Sequence, residues 1–344
     1  MLAVVLFQMV AWAFMVAATA TFIPTTTEAV DPSCDCKYYD GFGELREQNG
    51  TFMSPNFPDH YPMNINCVLY TFAGDPNQIV EITFQELSLQ PRSNNGECSD
   101  FIKIFNDLNA NNPTVNELSS WTHELCGRVA PPTTTYYSSS HAFIFEFHSD
   151  SYLDLNHDRG FLGTFRFLDA SKYVSSGSKY ANTECDYQIT NSKSLRRGAG
   201  QLFSPRFPRP YPSNIKCHYW LSGNENEKVR LTLRRLDLPE ANVTCSLNSY
   251  DHILVYDGNG PDITQGLSEE VNPRRTPKLA RYCSPATTVP DTVISSGPHM
   301  YIEFVAGFNG GTYPAQGFQA DFQFISSVTS EESSYGFSTL PRQT

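Results

Sequence analysis

Nine cysteines, at 34, 36, 67, 98, 126, 185, 217, 245 and 283, are the residues of this chain best suited to chemistry. Thiols in such numbers serve as zinc ligands, redox couples or disulfides, and the compartment decides which. Here the first twenty residues indicate the compartment. Leu2 to Ala20 is apolar apart from Gln8 and Thr19, and Ala18-Thr19-Ala20 puts small residues at −3 and −1 of a signal-peptidase site. The stretch reads as a secretory signal cleaved after Ala20. An uncleaved signal anchor is the minority reading, since the n-region lacks Lys and Arg and nineteen residues nearly span a bilayer. Cysteines in a secreted chain are expected as disulfides. The intervals 32, 28 and 38 of the second half echo 31, 31 and 28 counted from Cys36 in the first. Pairing neighbours along the chain gives Cys98–Cys126, Cys185–Cys217 and Cys245–Cys283, with Cys67 bonded to Cys36 or, alternatively, Cys34. Each such loop contributes roughly 3–4 kcal/mol. The ninth thiol is left free or bridges to another chain.

Other apparent motifs fail on their spacing. "HELCG" from His123 begins like a zincin helix, but the second histidine would fall on Gly127. "DGNGPDITQGLSEE" from Asp257 resembles a calcium loop, yet Asp262 stands where the turn needs glycine. No nucleophile elbow or phosphate-binding loop occurs, so no catalysis is expected. The net charge of −12 argues against nucleic acid, whose binding needs clustered cations. Asn49-Gly50-Thr51 and Asn242-Val243-Thr244 are N-glycosylation acceptors.

The elements that must position these residues come in two copies. "SPNFPDHYPMNINC", Ser54 to Cys67, returns as "SPRFPRPYPSNIKC", Ser204 to Cys217, with nine of fourteen positions identical. Each copy is followed by alternating runs: "VEITFQELSL" from Val80 and "VRLTLRRLDL" from Val229, then "DFIKIF" and "DHILVYDG". Paired closing runs end each copy, "AFIFEFHSD" with "GFLGTFRFL" and "MYIEFVAG" with "GFQADFQFI". Period-two alternation between Gly, Pro and Asn turns predicts antiparallel strands in a sandwich, so the fold class is all-β. The expected boundaries are a Thr/Pro-rich lead-in at 21–33, domains at 34–168 and 185–326, a linker at 169–184 and a disordered Ser-rich tail at 327–344. Charge separates the halves. Residues 36–168 hold 7 basic and 16 acidic side chains, a net of −9; residues 185–326 hold 14 and 13, a net of +1. Arg234-Arg235 and Arg274-Arg275 are candidates for a basic face that takes an acidic partner or a sulfated glycan.

A leading cysteine, SPxFPxxYPxNxxC, a cysteine loop entering D-x-I, then F-x-S-D and GF-x-x-x-F together resemble the CUB domain, over about residues 36–168 and again over 185–326. The resemblance implies two tandem disulfide-stapled jelly-roll β-sandwiches. It also implies a calcium site in many members, built from a Glu before the second cysteine loop, the Asp after its first cysteine and the Asp of F-x-S-D. In the first copy those positions are Gln90, Asp100 and Asp150, a set one charge short, with Asp154 near enough to compensate. The second copy keeps Asp251, but Glu240 is one place off and Gly307 replaces the last Asp, so no ion is expected there. The first half is most similar to suppressor-of-lurcher and neuropilin-and-tolloid-like proteins, auxiliary subunits of ionotropic glutamate receptors. The implied function is non-catalytic docking on an extracellular or membrane-receptor protein. Membrane association would come through that partner or an uncleaved anchor. The alternatives are a secreted regulator of a tolloid-like metalloprotease and a matrix- or glycan-binding protein.

Overall fold

The computed structural model describes residues 34–41, 48–111, 113–116, 118–129, 135–151, 158–192, 195–239, 251–260, 276–283, 287–307 and 315–327. Among these the first unit comprises β1 Asp35–Asp40, β2 Asn49–Met53, β3 Val68–Ala73, β4 Gln78–Ser88, β5 Phe101–Phe105, β6 His123–Leu125, β7 Arg128–Val129, β8 Thr135–Tyr137, β9 Ala142–His148 and β10 Gly160–Asp169. A 3-10 turn, Ala170–Tyr173, leads to the second unit. Its strands are β11 Ser178–Lys179, β12 Tyr187–Thr190, β13 Ala199–Phe203, β14 Ile215–Ser222, β15 Glu227–Asp237, β16 His252–Asp257, β17 Lys278–Tyr282, β18 Asp291–Ile294, β19 His299–Ala306 and β20 Gly317–Ser326.

Each unit is a two-sheet sandwich. The first packs β1-β3-β9-β5-β6 against β2-β10-β4-β7, with β8 beside β4. The second packs β11-β12-β14-β19-β16-β17 against β13-β20-β15-β18. All pairings are antiparallel except β1 with β3 and β12 with β14. Alternation drives the packing: on β15, Val229, Leu231 and Leu233 turn inward while Arg230 and Thr232 face out. The first core is strongly aromatic. Phe145 lies fully buried with its ring 4.5 Å from Tyr70 and 5.4 Å from Phe52. The HELCG stretch, read above as a failed zincin, lies partly on β6.

Register decides which cysteine pairs. Asn64 N donates to Asp150 O in the first unit, and Asn214 N to Gly307 O in the second. From there Val68 pairs with Phe147, but Cys217 with Phe304. The first unit therefore carries one extra residue between Asn64 and β3, and every side chain beyond it changes face. Cys217 stays in the main core, whereas Cys67 turns into a satellite cluster with Leu69, Phe105, Val115 and Ile144. β1 runs parallel to β3 with Asp35 opposite Val68 and Cys36 opposite Leu69, so Cys34 comes alongside Cys67. The bond is Cys34–Cys67, and Cys36 is free and exposed. This corrects the preference for Cys36, because the β1–β3 register sets that thiol opposite Leu69, two residues beyond its expected partner. Cys98–Cys126 and Cys185–Cys217 are both bonded. Cys283 is disulfide-bonded too, and its expected partner Cys245 lies outside the described residues.

Iodoacetamide applied to the folded protein should modify Cys36 alone, and Cys36→Ser should leave stability within about 0.5 kcal/mol. Cys34→Ser should cost about 3 kcal/mol. Peptide mapping that finds Cys34 alkylated and Cys36 protected would reverse the assignment.

Candidate functional site

The twice-written proline turn builds the corner where the acidic residues meet. Ser54 is buried at the turn's start, and its Oγ accepts from Phe161 N at 3.0 Å, tying the turn to β10. Ser204 does the same with Phe318 N at 3.1 Å. The turn's asparagines, Asn64 and Asn214, take left-handed backbone at φ 56° and 53°, a conformation Asn tolerates better than most residues. Its tyrosines reach across the corner. Tyr61 donates its hydroxyl to Asp100 Oδ2 at 2.6 Å, and Tyr211 to Asp251 Oδ2 at 2.6 Å. The tyrosines' role was missed in sequence, although their identity in both copies was the signal.

Asp100 and Asp251 are each about 4% exposed and hold a second hydrogen bond, from Asp150 N at 2.8 Å and Gly307 N at 2.7 Å. Each aspartate thus clamps the proline turn to the end of the central strand. Burial raises the Asp100 carboxyl above the ordinary carboxylate range, against the opposing pull of the bonds from Tyr61 and Asp150. The folded state then holds this proton more tightly than the unfolded one. Asp100 accordingly lends stability at acid pH that is lost as the pH rises through its folded value.

In the first unit Gln90, Asp100 and Asp150 meet at one corner. Gln90 N donates to the Tyr61 hydroxyl at 3.4 Å, so Gln90 and Asp100 meet at one phenol, and Asp150 adjoins through its backbone. The Gln90 Oε1 atom is buried with no hydrogen-bond partner. A buried carbonyl oxygen without a donor is the kind of neutral ligand that a hard cation takes along with carboxylates. Among the described residues no group of three or more His, Cys, Asp and Glu gathers for a metal. Asp154 and Glu240 lie outside the described residues.

The arginine pair is split. A bulge in β15, where the pairing passes from Leu233 to Arg235, makes Arg234 the extra residue. Arg234 Nε bonds Asp321 Oδ2 at 2.6 Å on the outer sheet face. Arg235 instead bonds Gln316 Oε1 at 3.2 Å and lies over the Phe207 ring at 5.5 Å. Arg274 and Arg275 lie outside the described residues. The second proline turn has a further role: Phe207 packs on Tyr173 of the connecting turn, and Arg209 pairs with Asp107 of the first unit at 3.2 Å. Of the glycosylation acceptors, Asn49 stands exposed at the start of β2, and Asn242 lies outside the described residues.

Comparison with known proteins agrees with two copies of one β-sandwich domain. The CUB-domain family model matches residues 36–165 and 185–322. Tolloid-like protein 2 of Mus musculus is 25% identical over 307 residues, covering 81% of this chain and 26% of that protein. Cubilin of Rattus norvegicus is 30% identical over 231 residues, covering 67% of this chain and 5% of that protein. A crystal structure of the MASP-1 CUB2 domain bound to Ca2+ matches 35% of this chain and 93% of its own at 21% identity, with a TM-score of 0.27. The chain spans about a quarter of the tolloid-like relative's length and far less of cubilin's.

Proposed function

The chain belongs to the CUB-domain family, and from that premise we propose that it is an accessory protein whose paired domains dock on the ectodomain of a receptor or ion channel. CUB domains are non-catalytic binding modules, typically extracellular, so the proposal concerns what these two bind. We assign the domains to 34–168 and 185–326, joined by 169–184, in a secreted or cell-surface protein. The observation that carries the docking reading is the corner at Gln90, Asp100 and Asp150, on a domain of net charge −9. Calcium held there would supply fixed positive charge that orders the loops. Asp100 and the Gln90 oxygen would hold it, with Asp150 completing the set, leaving an acidic rim for a partner's Lys or Arg.

Proximity labelling on living cells with residues 21–344 tests this. A membrane-protein ectodomain should be enriched in millimolar calcium and lost in EGTA. Recovery of matrix components alone would sink the receptor reading. The 25% identity over 307 residues to a tolloid-like protein favours one alternative, a regulator of a tolloid-like metalloprotease. Such a protease among the labelled proteins, without a receptor, would select it.

A further inference from the structure

The outer face of the second domain's smaller sheet carries an open groove of about 400 Å3 between β13, β20 and β15, its surface polar and apolar in similar measure, a volume ordinary for a ligand pocket. Arg230, Thr232 and Arg234 of β15 line one side and Gln201 of β13 the other, with Asp321 and Gln323 of β20 between them. Its charges are unequally matched. Asp321 accepts from Arg234 at 2.6 Å and from Gln201 Nε2 at 3.1 Å, so that carboxylate is spent within the groove. Arg230 bonds only the neutral amide of Gln323, and among the described residues no carboxylate stands within ion-pair distance of it.

The first domain supplies an internal comparison. Arg230 pairs across the strands with Gln323 where the first domain pairs Glu81 with Arg166. There Arg166 grips Glu81 through two bonds, at 2.6 and 2.8 Å, and the cation is neutralised. In the second domain Arg replaces the acid and Gln replaces the base, which leaves one net positive charge in a cradle of amides and hydroxyls. Its one aromatic lining residue, Phe322, is buried in the core, so the groove presents no exposed aromatic anchor of the kind on which protein hot spots centre. A saccharide offers paired hydroxyl donors and acceptors, and a sulfate on it would meet the uncompensated guanidinium in a charge-assisted hydrogen bond.

We infer that this groove is a binding site for a sulfated glycan, with Arg230 as its anion contact. The site is separate from the acidic corner of the first domain, so it stands or falls independently of receptor docking.

The test is retention of the whole secreted chain on immobilised heparin, with a desulfated heparin column in parallel. Arg230→Gln should bind sulfated heparin roughly tenfold more weakly and show a shallower salt dependence. Lys278→Gln removes the same charge from the exposed β17 of the other sheet and should change little. Asp321→Asn releases Arg234 and should bind more tightly. Equal loss in Arg230→Gln and Lys278→Gln would mean diffuse net charge and overturn the site. Equal retention of wild type on the desulfated column would overturn the sulfate assignment. Melting temperatures unchanged for Arg230→Gln and Lys278→Gln, whose side chains are exposed, show that these variants fold.

Discussion

Gly160→Ala should unfold the first domain more than 10 °C below wild type, and Gly317→Ala should do the same to the second. The two glycines open the GF strands at φ +94° and +90°, backbone that a side chain rarely adopts. A Cβ on Gly160 would stand 2.0 Å from Ser54 Oγ and 2.8 Å from Ser54 Cβ; on Gly317 it would stand 2.1 and 2.5 Å from the same atoms of Ser204. The serine cannot step aside, because it is buried and holds the amide after the glycine. Backbone strain of about 1–3 kcal/mol and overpacking of a similar size add to roughly 3–5 kcal/mol. Ser54→Gly removes both clashing atoms, so the double variant Ser54→Gly with Gly160→Ala should lose less than the sum of the singles by about 1 kcal/mol or more. Thermal denaturation of the four proteins gives the coupling. Additive losses would mean that the glycine and the serine do not lock the turn to the closing strand.

That lock explains how much of the fold could be read from residues alone. Alternation located the long strands: Val80, Ile82 and Phe84 of β4 all point into the core. The repeated turn identified the scaffold because its Ser, Tyr and Asn each satisfy a backbone or carboxylate group that both domains share. Parity was the blind spot. Both turns write Asn-Ile-x-Cys, yet one domain inserts an extra residue before β3, and only the opposite strand's hydrogen bonds reveal it. The parallel register of β1 on β3, equally invisible in the sequence, set Cys34 rather than Cys36 beside Cys67. The same kind of irregularity, the bulge at Arg234, divided an arginine pair that sequence presents as a unit. The candidate calcium site was legible only through family resemblance. Burial of the Gln90 oxygen depends on loops distant in sequence, which composition and period do not encode.

In the absence of calcium, Asp100→Ala and Asp251→Ala should destabilise their own domains equally, by roughly 2–4 kcal/mol. Each variant orphans two part-buried donors, a tyrosine hydroxyl and a backbone amide, at about 1–3 kcal/mol apiece. The equality follows from matched geometry, although the domains differ in net charge by ten units, from −9 to +1. Calcium should break the symmetry. Extracellular sites bind at about 0.1–1 mM, so calcium at ten times the dissociation constant would add about 1.4 kcal/mol to the first domain and nothing to the second. Asp100→Ala should abolish that increment and Asp251→Ala should keep it. Asp150→Ala separates the two roles most cleanly. Its bond to Asp100 comes from the main-chain amide and survives the substitution, so the clamp itself should persist while the calcium increment disappears. A wild-type first domain whose melting temperature ignores millimolar calcium would dismiss the ion and leave the clamp standing. A loss below about 1 kcal/mol in calcium-free Asp251→Ala would dismiss the clamp, because a buried carboxylate that holds two donors cannot be removed so cheaply.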